Sequence, residues 1–345
     1  MGSKMTIRQI AEKCKVSVST VSIALNNKPG VSEETRTRIH QAAEKMGYEI
    51  RPKPETDALI RRKLSTLGML VKTDQDLLPP ANPFYSHVIN GVDEACKDLG
   101  MNLLFSMLPV DENNRPHKVP NFINSNLADG FLMVGTFLDE TISSMLNKMS
   151  IPIVLVDGYS DTESYDMVIS DNFHAAYQAV EHLIARGHKH IGLLGGEPDG
   201  YPSLRERRNG YFRAMKDNGL QNTYSADFTI NQGNFEENAR DFLNKNPQVT
   251  AIFAINDNIA VSAIRAAQSL GMNVPKDLSV IGYDDTHLAT SISPALTTMH
   301  VDTVAMGYGA VHLLSMRAHR PDAARVTLVI HPTMIERQSV ARPRK

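Results

Sequence analysis

Small hydroxyl-bearing and branched side chains alternate over residues 17–23, SVSTVSI, close to the N-terminus. Hydroxyls and methyl groups of this size can approach phosphates and base edges in the major groove of DNA. A helix that only packs against the rest of a protein would be expected to carry long charged side chains on its outer face. The run therefore indicates DNA recognition, and the alternative is an ordinary helical hairpin with a weakly polar surface.

Two short helices joined by a tight turn are predicted to present this run. In the first helix, Ile7, Ile10 and Ala11 follow the i, i+3, i+4 spacing of one buried face. Residues 13–15 form the break, and Ser17 is placed to cap the second helix. That helix turns Val21, Ala24 and Leu25 inward, which leaves Val18, Ser19, Ser22 and Ile23 to project outward.

A third helix is predicted after the turn-forming residues 26–30, NNKPG. Ser32 can cap it, and Glu33 and Glu34 lie in its first turn, where the helix dipole favours acids. Gly47 is expected to end it. Three helices in fewer than fifty residues make a very small domain with a correspondingly small core.

Charge is distributed unevenly along the 345 residues, although the formal net charge is only −2. Residues 1–66 contain thirteen Lys and Arg against seven acids, a net charge of +6, which leaves −8 for the remainder. A basic N-terminal part and an acidic remainder are typical of a protein that binds nucleic acid at one end. The sequence has two well-separated cysteines, no secretory signal and no apolar run of 18 residues. These features predict a cytoplasmic protein without a membrane partner.

From residue 66 onward, short apolar strands alternate with amphipathic helices, which predicts parallel sheets covered on both faces. The alternation is long enough for two doubly wound lobes with a crevice between them. The predicted strands are 67–71, 103–105, 130–134, 153–156, 167–169, 191–194, 228–230, 251–255 and 280–283. The predicted domains are therefore 1–49, a helix-turn-helix head; 50–65, a hinge with a short basic helix; and 66–345, a two-lobed body.

The chain as a whole resembles the lac/galactose repressor family of bacterial transcription regulators. The blocks that carry the resemblance are VSVSTVSIALN, VSEETRTRI and MGY in the head, and RGHKHIGLLGG, ERRNGYFRAM, AIFAINDNIAVSAIRAAQSLGMNVPKDLSVIGYDD and SPALTTMHVD in the body. The resemblance implies an α/β body like a periplasmic binding protein behind an all-α head. It also implies a regulator, most simply a repressor, that binds a palindromic operator as a homodimer and responds to a small polar effector.

Carried over position by position, the resemblance implies DNA contacts on all three head helices and in the hinge. These are Thr6, Ile7, Ser17, Val18, Ser19, Thr20, Ser22, Ile23, Asn26, Val31, Ser32, Thr35, Tyr48 and Leu59. Many family members have Arg where this chain has Ile23, so an apolar contact replaces a bidentate guanine contact. The hinge sequence differs more strongly from the family's usual pattern. Either Leu59 or Ile60 could be the side chain that wedges into the minor groove. Leu59 could instead be a packing residue of the hinge.

Members of the family bind their effector in the crevice. The resemblance therefore implies effector contacts at eight positions of this chain. They are Phe84, Tyr85, Asp157, Ser203, Arg207, Phe235, Asn256 and Asp284. Aromatic faces, carboxylates and one guanidinium suit a small polar ring, most simply a sugar. Five of these assignments have a structural alternative: Asp157 and Asp284 could cap loops, Arg207 could be an ion-pair partner, and the two phenylalanines could be core residues.

No catalytic, cofactor or metal signature is found beside these sets. The glycines near 195–200 match neither a dinucleotide nor a Walker loop, and His182, His188 and His190 lack further ligands at metal spacing. We therefore expect no enzyme activity, no cofactor and no metal. The alternatives are a solute-binding protein, a sugar-metabolising enzyme, or a regulator controlled by a protein partner or a purine-like corepressor. No added heptad follows at the C-terminal end, so no tetramer is expected.

Overall fold

The computed structural model describes residues 6–25, 30–46, 48, 64–73, 83–116, 123, 127–147, 151–162, 165–228 and 233–344. The chain divides into two compact units, Met1–Arg61 and Arg62–Lys345, which we call the head and the body. The predicted hinge helix and Leu59 lie outside the described residues, as does Asn26. The boundaries of the three predicted segments stay predictions.

Three helices build the head: α1 (Ile7–Cys14), α2 (Val18–Leu25) and α3 (Glu33–Lys45). Ile10, Val21 and Ile39 are fully buried and form the centre of their common core. The turn between α1 and α2 is shorter than predicted, because α1 continues to Cys14 and the chain reverses at Lys15, with φ of +51°. A left-handed residue at that point ends α1 and directs the chain into α2.

The body alternates strands and helices in the order that the sequence predicts, with additional short strands. Its elements are β1 (Thr66–Thr73), α4 (Pro83–Leu99), β2 (Asn102–Pro109), β3 (Gly130–Val134), β4 (Phe137–Leu138), α5 (Glu140–Asn147), β5 (Ile153–Val156), β6 (Tyr159–Ser160), β7 (Asp166–Ser170), α6 (Asn172–Ala185), β8 (Ile191–Leu194), α7 (Pro202–Asp217), β9 (Tyr224–Ala226), α8 (Phe235–Lys245), β10 (Ala251–Ala254), α9 (Asp257–Ser269), β11 (Ser279–Asp284), α10 (Leu288–Ser291), β12 (Thr297–His300), α11 (Thr303–His319), β13 (Thr327–Ile330) and β14 (Thr333–Ile335).

Two sheets organise these elements into two lobes. Among the described residues, the N-lobe sheet has the strand order β13-β7-β5-β3-β1-β2 and is parallel throughout. The C-lobe sheet has the order β14-β12-β11-β10-β8-β9 and is parallel except for β14, which pairs antiparallel with β12. The central strands are buried on both faces, for example β3, β5, β8 and β10. Continuous apolar runs are the sequence signature of such strands.

The described chain passes between the lobes at three places: after β7, after β12 and after β13. Asp171 joins the first and third of these crossovers. Its backbone N–H donates to the Ile330 carbonyl (2.9 Å), and its carboxylate lies 3.1 Å from the His331 ring. The carboxyl ends of strands from both sheets therefore come together at one crevice, as expected for doubly wound folds.

The predicted strand at 228–230 lies largely outside the described residues. Phe228 is its one described position and lies in a loop, after the edge strand β9, Tyr224–Ala226. Phe228 is buried because it packs close to the Phe235 ring (6.1 Å between ring centroids), so its burial comes from loop packing. Within the described part of the chain, none of the helices has the length and apolar character required to span a bilayer.

Candidate functional site

Ser17 organises the start of α2, as the sequence predicts. Its hydroxyl accepts a hydrogen bond from the Thr20 backbone N–H (3.0 Å) and lies within 2.8 Å of the Ser19 and Thr20 hydroxyls. The N-cap therefore satisfies one of the free N–H groups of the first turn. It also gathers three hydroxyls at the N-terminal end of α2, where the helix dipole favours an anion such as phosphate.

Val18 is the first residue of α2 and is 44% exposed, whereas the inward residues Val21, Ala24 and Leu25 are buried. Ser19 is exposed beside it, and the side chains of Ser22 and Ile23 are half-buried. An exposed branched apolar side chain next to hydroxyls on a short helix has the chemistry for base edges and thymine methyl groups.

The remaining predicted DNA contacts lie at helix starts or beside the head core. Thr6 precedes α1, where the Gln9 side-chain oxygen accepts hydrogen bonds from the Thr6 backbone N–H (2.8 Å) and hydroxyl (3.0 Å). Ser32 caps α3 by accepting from the Thr35 backbone N–H (3.4 Å), and its hydroxyl donates to that of Thr35 (2.9 Å). Three further positions pack partly against the core: Ile7, Val31 and Tyr48.

In the body, Arg207 lies at the centre of the predicted effector residues. Its side chain is 6% exposed; its Nε donates to the Asn172 side-chain oxygen (2.8 Å) and its Nη1 to the Ile255 carbonyl (2.7 Å). The same Nη1 lies 3.0 Å from Asp284 Oδ1, and the guanidinium covers the Tyr283 ring at 3.6 Å. The predicted alternative, a structural ion pair, is therefore present within the crevice itself.

Asp284 ends β11 in a strained backbone conformation, with φ of +102°, and the following Asp285 has φ of +55°. L-residues rarely adopt such angles, and they persist only where the surroundings hold them. Burial raises the pKa of Asp284 to about 7, while the Arg207 guanidinium opposes the rise. The carboxyl group can therefore accept hydrogen bonds from a ligand or donate one, depending on pH.

Asp157 faces the crevice from the N-lobe, directly after β5, again with a left-handed backbone (φ +45°). Its Oδ2 accepts a hydrogen bond from the Tyr85 hydroxyl (2.9 Å), which explains the burial of both groups. Burial raises the pKa of Asp157, an effect that Arg207 and the Tyr85 hydrogen bond oppose. Burial and the Asp157 carboxylate raise the pKa of Tyr85, so its hydroxyl stays a donor.

The other predicted effector residues have mainly structural partners. Phe84 packs edge-to-face on Tyr85 (5.3 Å) and against the body core. Asn256 caps α9 by accepting from the Ile259 N–H (2.9 Å), which leaves its amide NH₂ as the group for a ligand. Ser203 is buried in the first turn of α7, and Phe235 begins α8 beside Phe228.

Sequence reasoning missed several crevice residues. Lys72, at the end of β1, donates to the Asn114 side-chain oxygen (2.6 Å) and lies 5.8 Å from the Tyr85 ring and 5.6 Å from the Tyr201 ring. Tyr159 on β6 and Tyr201 before α7 contact each other edge-to-face. Their positions directly after strands or before a helix were the available signal, because such positions line the crevice in this fold.

The crevice also contains polar atoms without partners among the described residues. Thr136 Oγ1 and the Tyr159 hydroxyl are buried and make no hydrogen bond there. A buried polar group without a partner costs free energy, so such groups mark places for water or a ligand. No group of three or more metal-ligating side chains occurs among the residues that the structure describes.

Comparison with known proteins finds a matching family model in the head and another in the body. Residues 6–50 match the model for bacterial regulatory proteins of the lacI family, and residues 180–340 match that for a periplasmic binding protein-like domain. The HTH-type transcriptional repressor PurR of Aliivibrio fischeri (strain ATCC 700601 / ES114) is 32% identical over 344 residues, covering 97% of this chain and 98% of that protein. The PurR of Aliivibrio salmonicida (strain LFI1238) is 31% identical over 341 residues, with the same coverage. The chain belongs to the lacI family of bacterial regulatory proteins.

Solved structures of the lacI family share the fold. The transcriptional regulator CelR in complex with cellobiose is 26% identical and superposes with a TM-score of 0.69 over 97% of this chain and 99% of that one. A lac repressor dimer bound to operator and an anti-inducer is 23% identical, with a TM-score of 0.66 over 98% and 100% of the two chains. The predicted family, fold class and function as a ligand-responsive transcriptional repressor, not an enzyme, are confirmed.

Proposed function

We propose that this repressor binds a near-palindromic operator as a homodimer and that α2 of each head reads one half-site. The observation that carries the proposal is the exposed Val18 beside the hydroxyls of Ser17, Ser19 and Thr20 at the start of α2. In helix-turn-helix proteins the N-terminal residues of the second helix contact base edges, and dimers place two such helices in successive major grooves. Val18 and Ser19 are assigned to base reading, and the neighbouring hydroxyls to phosphates.

Selection of binding sites from random double-stranded DNA tests this assignment. We expect an inverted repeat whose half-sites are centred about one helical turn, or a multiple of it, apart. Val18→Ala should change the preferred base at one position of each half-site. Recovery of no common sequence, or of a direct repeat, would contradict operator reading by a symmetric dimer.

For the effector, we propose a small, uncharged, polyhydroxylated molecule of the sugar type, bound in the crevice. Arg207 and Lys72 provide two cationic groups, and Asp157 and Asp284 two carboxyl groups, so the site has no large excess of charge for an ionic ligand. The carboxyl oxygens and the unpartnered Tyr159 hydroxyl offer hydrogen bonds to ligand hydroxyls. Binding of cellobiose by CelR, which shares 26% identity, supports the same class.

A purine-like corepressor is the second candidate. It is favoured by the similarity of 31–32% to repressors named PurR over nearly the whole chain. A planar base could pack against the tyrosine rings of the crevice, since Tyr85 and Tyr201 both lie close to Lys72. Control by a protein partner would require neither ligand.

A thermal-shift screen of sugars, sugar phosphates and purines discriminates among these candidates. A ligand present at 100 times its dissociation constant should stabilise the protein by about 2.7 kcal/mol, which is readily seen as a higher melting temperature. Arg207→Ala and Asp284→Asn should abolish the shift, whereas Arg205→Ala, an exposed position on the same helix, should retain it. A shift only with purines would replace the sugar proposal, and no shift at all would favour a protein partner.

A further inference from the structure

Tyr201 bridges the two lobes. It belongs to the C-lobe, where it precedes α7, but its hydroxyl donates to the Asp157 carbonyl (2.8 Å) and approaches the Thr136 carbonyl (3.2 Å), both in the N-lobe. Because a hydroxyl has one proton, the shorter contact is the principal bond and the longer one is a second branch. The Asp157 carbonyl lies directly after β5 and the Thr136 carbonyl two residues after β3, at the edge of the crevice.

Tyr159 completes the contact from the N-lobe side. Its ring meets the Tyr201 ring edge-to-face at 5.4 Å with an interplanar angle of 86°, the preferred geometry of aromatic pairs. The Lys72 ammonium lies 5.6 Å from the Tyr201 ring centroid, within the range of a cation–π contact. Tyr201 is therefore held by two N-lobe side chains and by backbone carbonyls, while the Tyr159 hydroxyl makes no hydrogen bond among the described residues.

We propose that Tyr201 is a latch that holds the lobes closed and so positions the crevice residues for the effector. All its N-lobe contacts exist only when the lobes are together, so they stabilise the closed body and not an open one. A conformational equilibrium shifts only through such differential interactions. The latch thus reduces the free energy that effector binding must provide to close the lobes. It acts before any effector is present.

The hydroxyl and the ring of Tyr201 contribute separately. A net hydrogen bond typically changes an equilibrium by a factor of roughly two to ten, so we expect loss of the Tyr201 hydroxyl to raise the open-to-closed ratio by about fivefold. The Tyr159 hydroxyl makes no hydrogen bond to the part of the chain that the structure describes, so its removal should leave the ratio unchanged in the absence of an effector. A role of lobe closure in regulation rests on the proposed function. The latch itself rests only on the contacts of Tyr201 and is independent of that function.

Distance measurement by pulsed electron paramagnetic resonance tests the latch in the full chain. Spin labels are attached at Glu140→Cys on α5 and Asn209→Cys on α7, which are exposed on opposite lobes, with Cys14 and Cys96 replaced by alanine. Labelled chain is diluted with an excess of unlabelled chain, so that distances within one chain dominate if the protein is dimeric. Wild type should show mainly the short, closed distance, and Tyr201→Phe a larger long-distance population.

Two matched substitutions serve as controls. Tyr159→Phe and Tyr177→Phe, whose hydroxyl faces Asp217 within the C-lobe, should both retain the wild-type distribution and melting temperature. The proposal is overturned if Tyr201→Phe matches wild type, if wild type is mainly open, or if Tyr159→Phe opens the body equally. Neither DNA nor an effector is used, so a failed latch and a failed operator or effector proposal give different results.

Discussion

The pairing of Arg207 with Asp284 is a structural ion pair at two residues that we propose bind the effector. The guanidinium is held by Asn172, by the Ile255 carbonyl and by Asp284, all from different parts of the body. Such a side chain is pre-organised, because its rotamer is fixed before a ligand arrives. Structural ion pairing and effector binding are therefore compatible at this residue, and substitution should affect both.

Asp284 gives a pH-dependent prediction. Its pKa of about 7 lies well above the ordinary value of 3.8, so between these values the folded body binds more protons than the unfolded chain. By linkage, this residue's contribution to the free energy of unfolding falls as pH rises from about 4 to 7, by at most about 4 kcal/mol. Asp284→Asn cannot titrate, so the fall in stability over this range should be smaller in the variant.

Chemical denaturation of both proteins between pH 4 and 8 measures this difference. Asp257, whose pKa burial raises to about 6, should contribute a fall of the same sign in both proteins, which makes wild type minus variant the informative quantity. A difference that does not change with pH would show that Asp284 is already ionised throughout.

Val18 gives a second prediction at the residue scale. Its replacement by alanine removes apolar surface that would contact a base in each half-site, at a cost of about 1 kcal/mol per head, or roughly 30-fold in the operator affinity of the dimer. The fold of the head should be unaffected, because Val18 is exposed in the protein alone. Val329→Ala, at an exposed valine of β13, is the matched control and should bind operator as wild type does. Equal affinities of all three proteins, measured by fluorescence anisotropy, would remove Val18 from the interface.

Local structural roles of the candidate site residues could be predicted from the sequence, whereas contacts that depend on the partner lobe could not. The Ser17 cap follows from neighbouring residues, and the structure confirms it. Tyr201 follows the glycines near 195–200, in which the sequence shows no binding motif, and its bonds to the Asp157 and Thr136 carbonyls connect residues 44 and 65 positions apart. Spacing along the chain contains no information about contacts across a crevice.

At the scale of elements, most apolar central strands were predictable, whereas the polar strand β12 and the edge strands β9 and β13 were not. The strands β3, β5, β8 and β10 are apolar throughout because helices cover both faces of the sheet. The edge strands β9 and β13 are partly exposed; β9 lacks an apolar run, and the run of β13 is only three residues long. Phe228, the one described residue of the strand predicted at 228–230, lies in a loop and packs near Phe235.

The head core gives a prediction at this scale. Ile39 on α3 is fully buried against α1 and α2, so Ile39→Ala should cost about 2–5 kcal/mol. A domain this small rarely has more than about 3–5 kcal/mol of stability, so the head should be largely unfolded. Operator binding should be lost, while the body and any effector-induced thermal shift should be retained.

Ile264→Ala, at a fully buried isoleucine of α9, is the matched control for Ile39→Ala. It should lower the unfolding transition of the body and leave the head helices folded, as followed by NMR signals of the head. A single transition that both substitutions lower equally would show that head and body unfold together.

For the whole molecule, the separation of charge determines how the head and body behave towards DNA. Residues 1–66 have a net charge of +6 and the remainder −8. Phosphate contacts release counterions, so the logarithm of affinity falls linearly with the logarithm of salt concentration, with a slope of about −0.9 per phosphate neutralised. We expect DNA to repel the acidic remainder, which would keep binding at the basic N-terminal part.

Two heads making roughly six to ten phosphate contacts should lose about 10³- to 10⁵-fold in operator affinity between 50 and 200 mM salt. Val18→Ala should have the same slope at lower affinity, because valine has no charge, whereas a scrambled operator should bind far more weakly with strong salt dependence as well. Titrations at four salt concentrations measure both quantities. An affinity that does not depend on salt would mean that the basic head makes no phosphate contacts, and the proposed mode of operator binding would then be wrong.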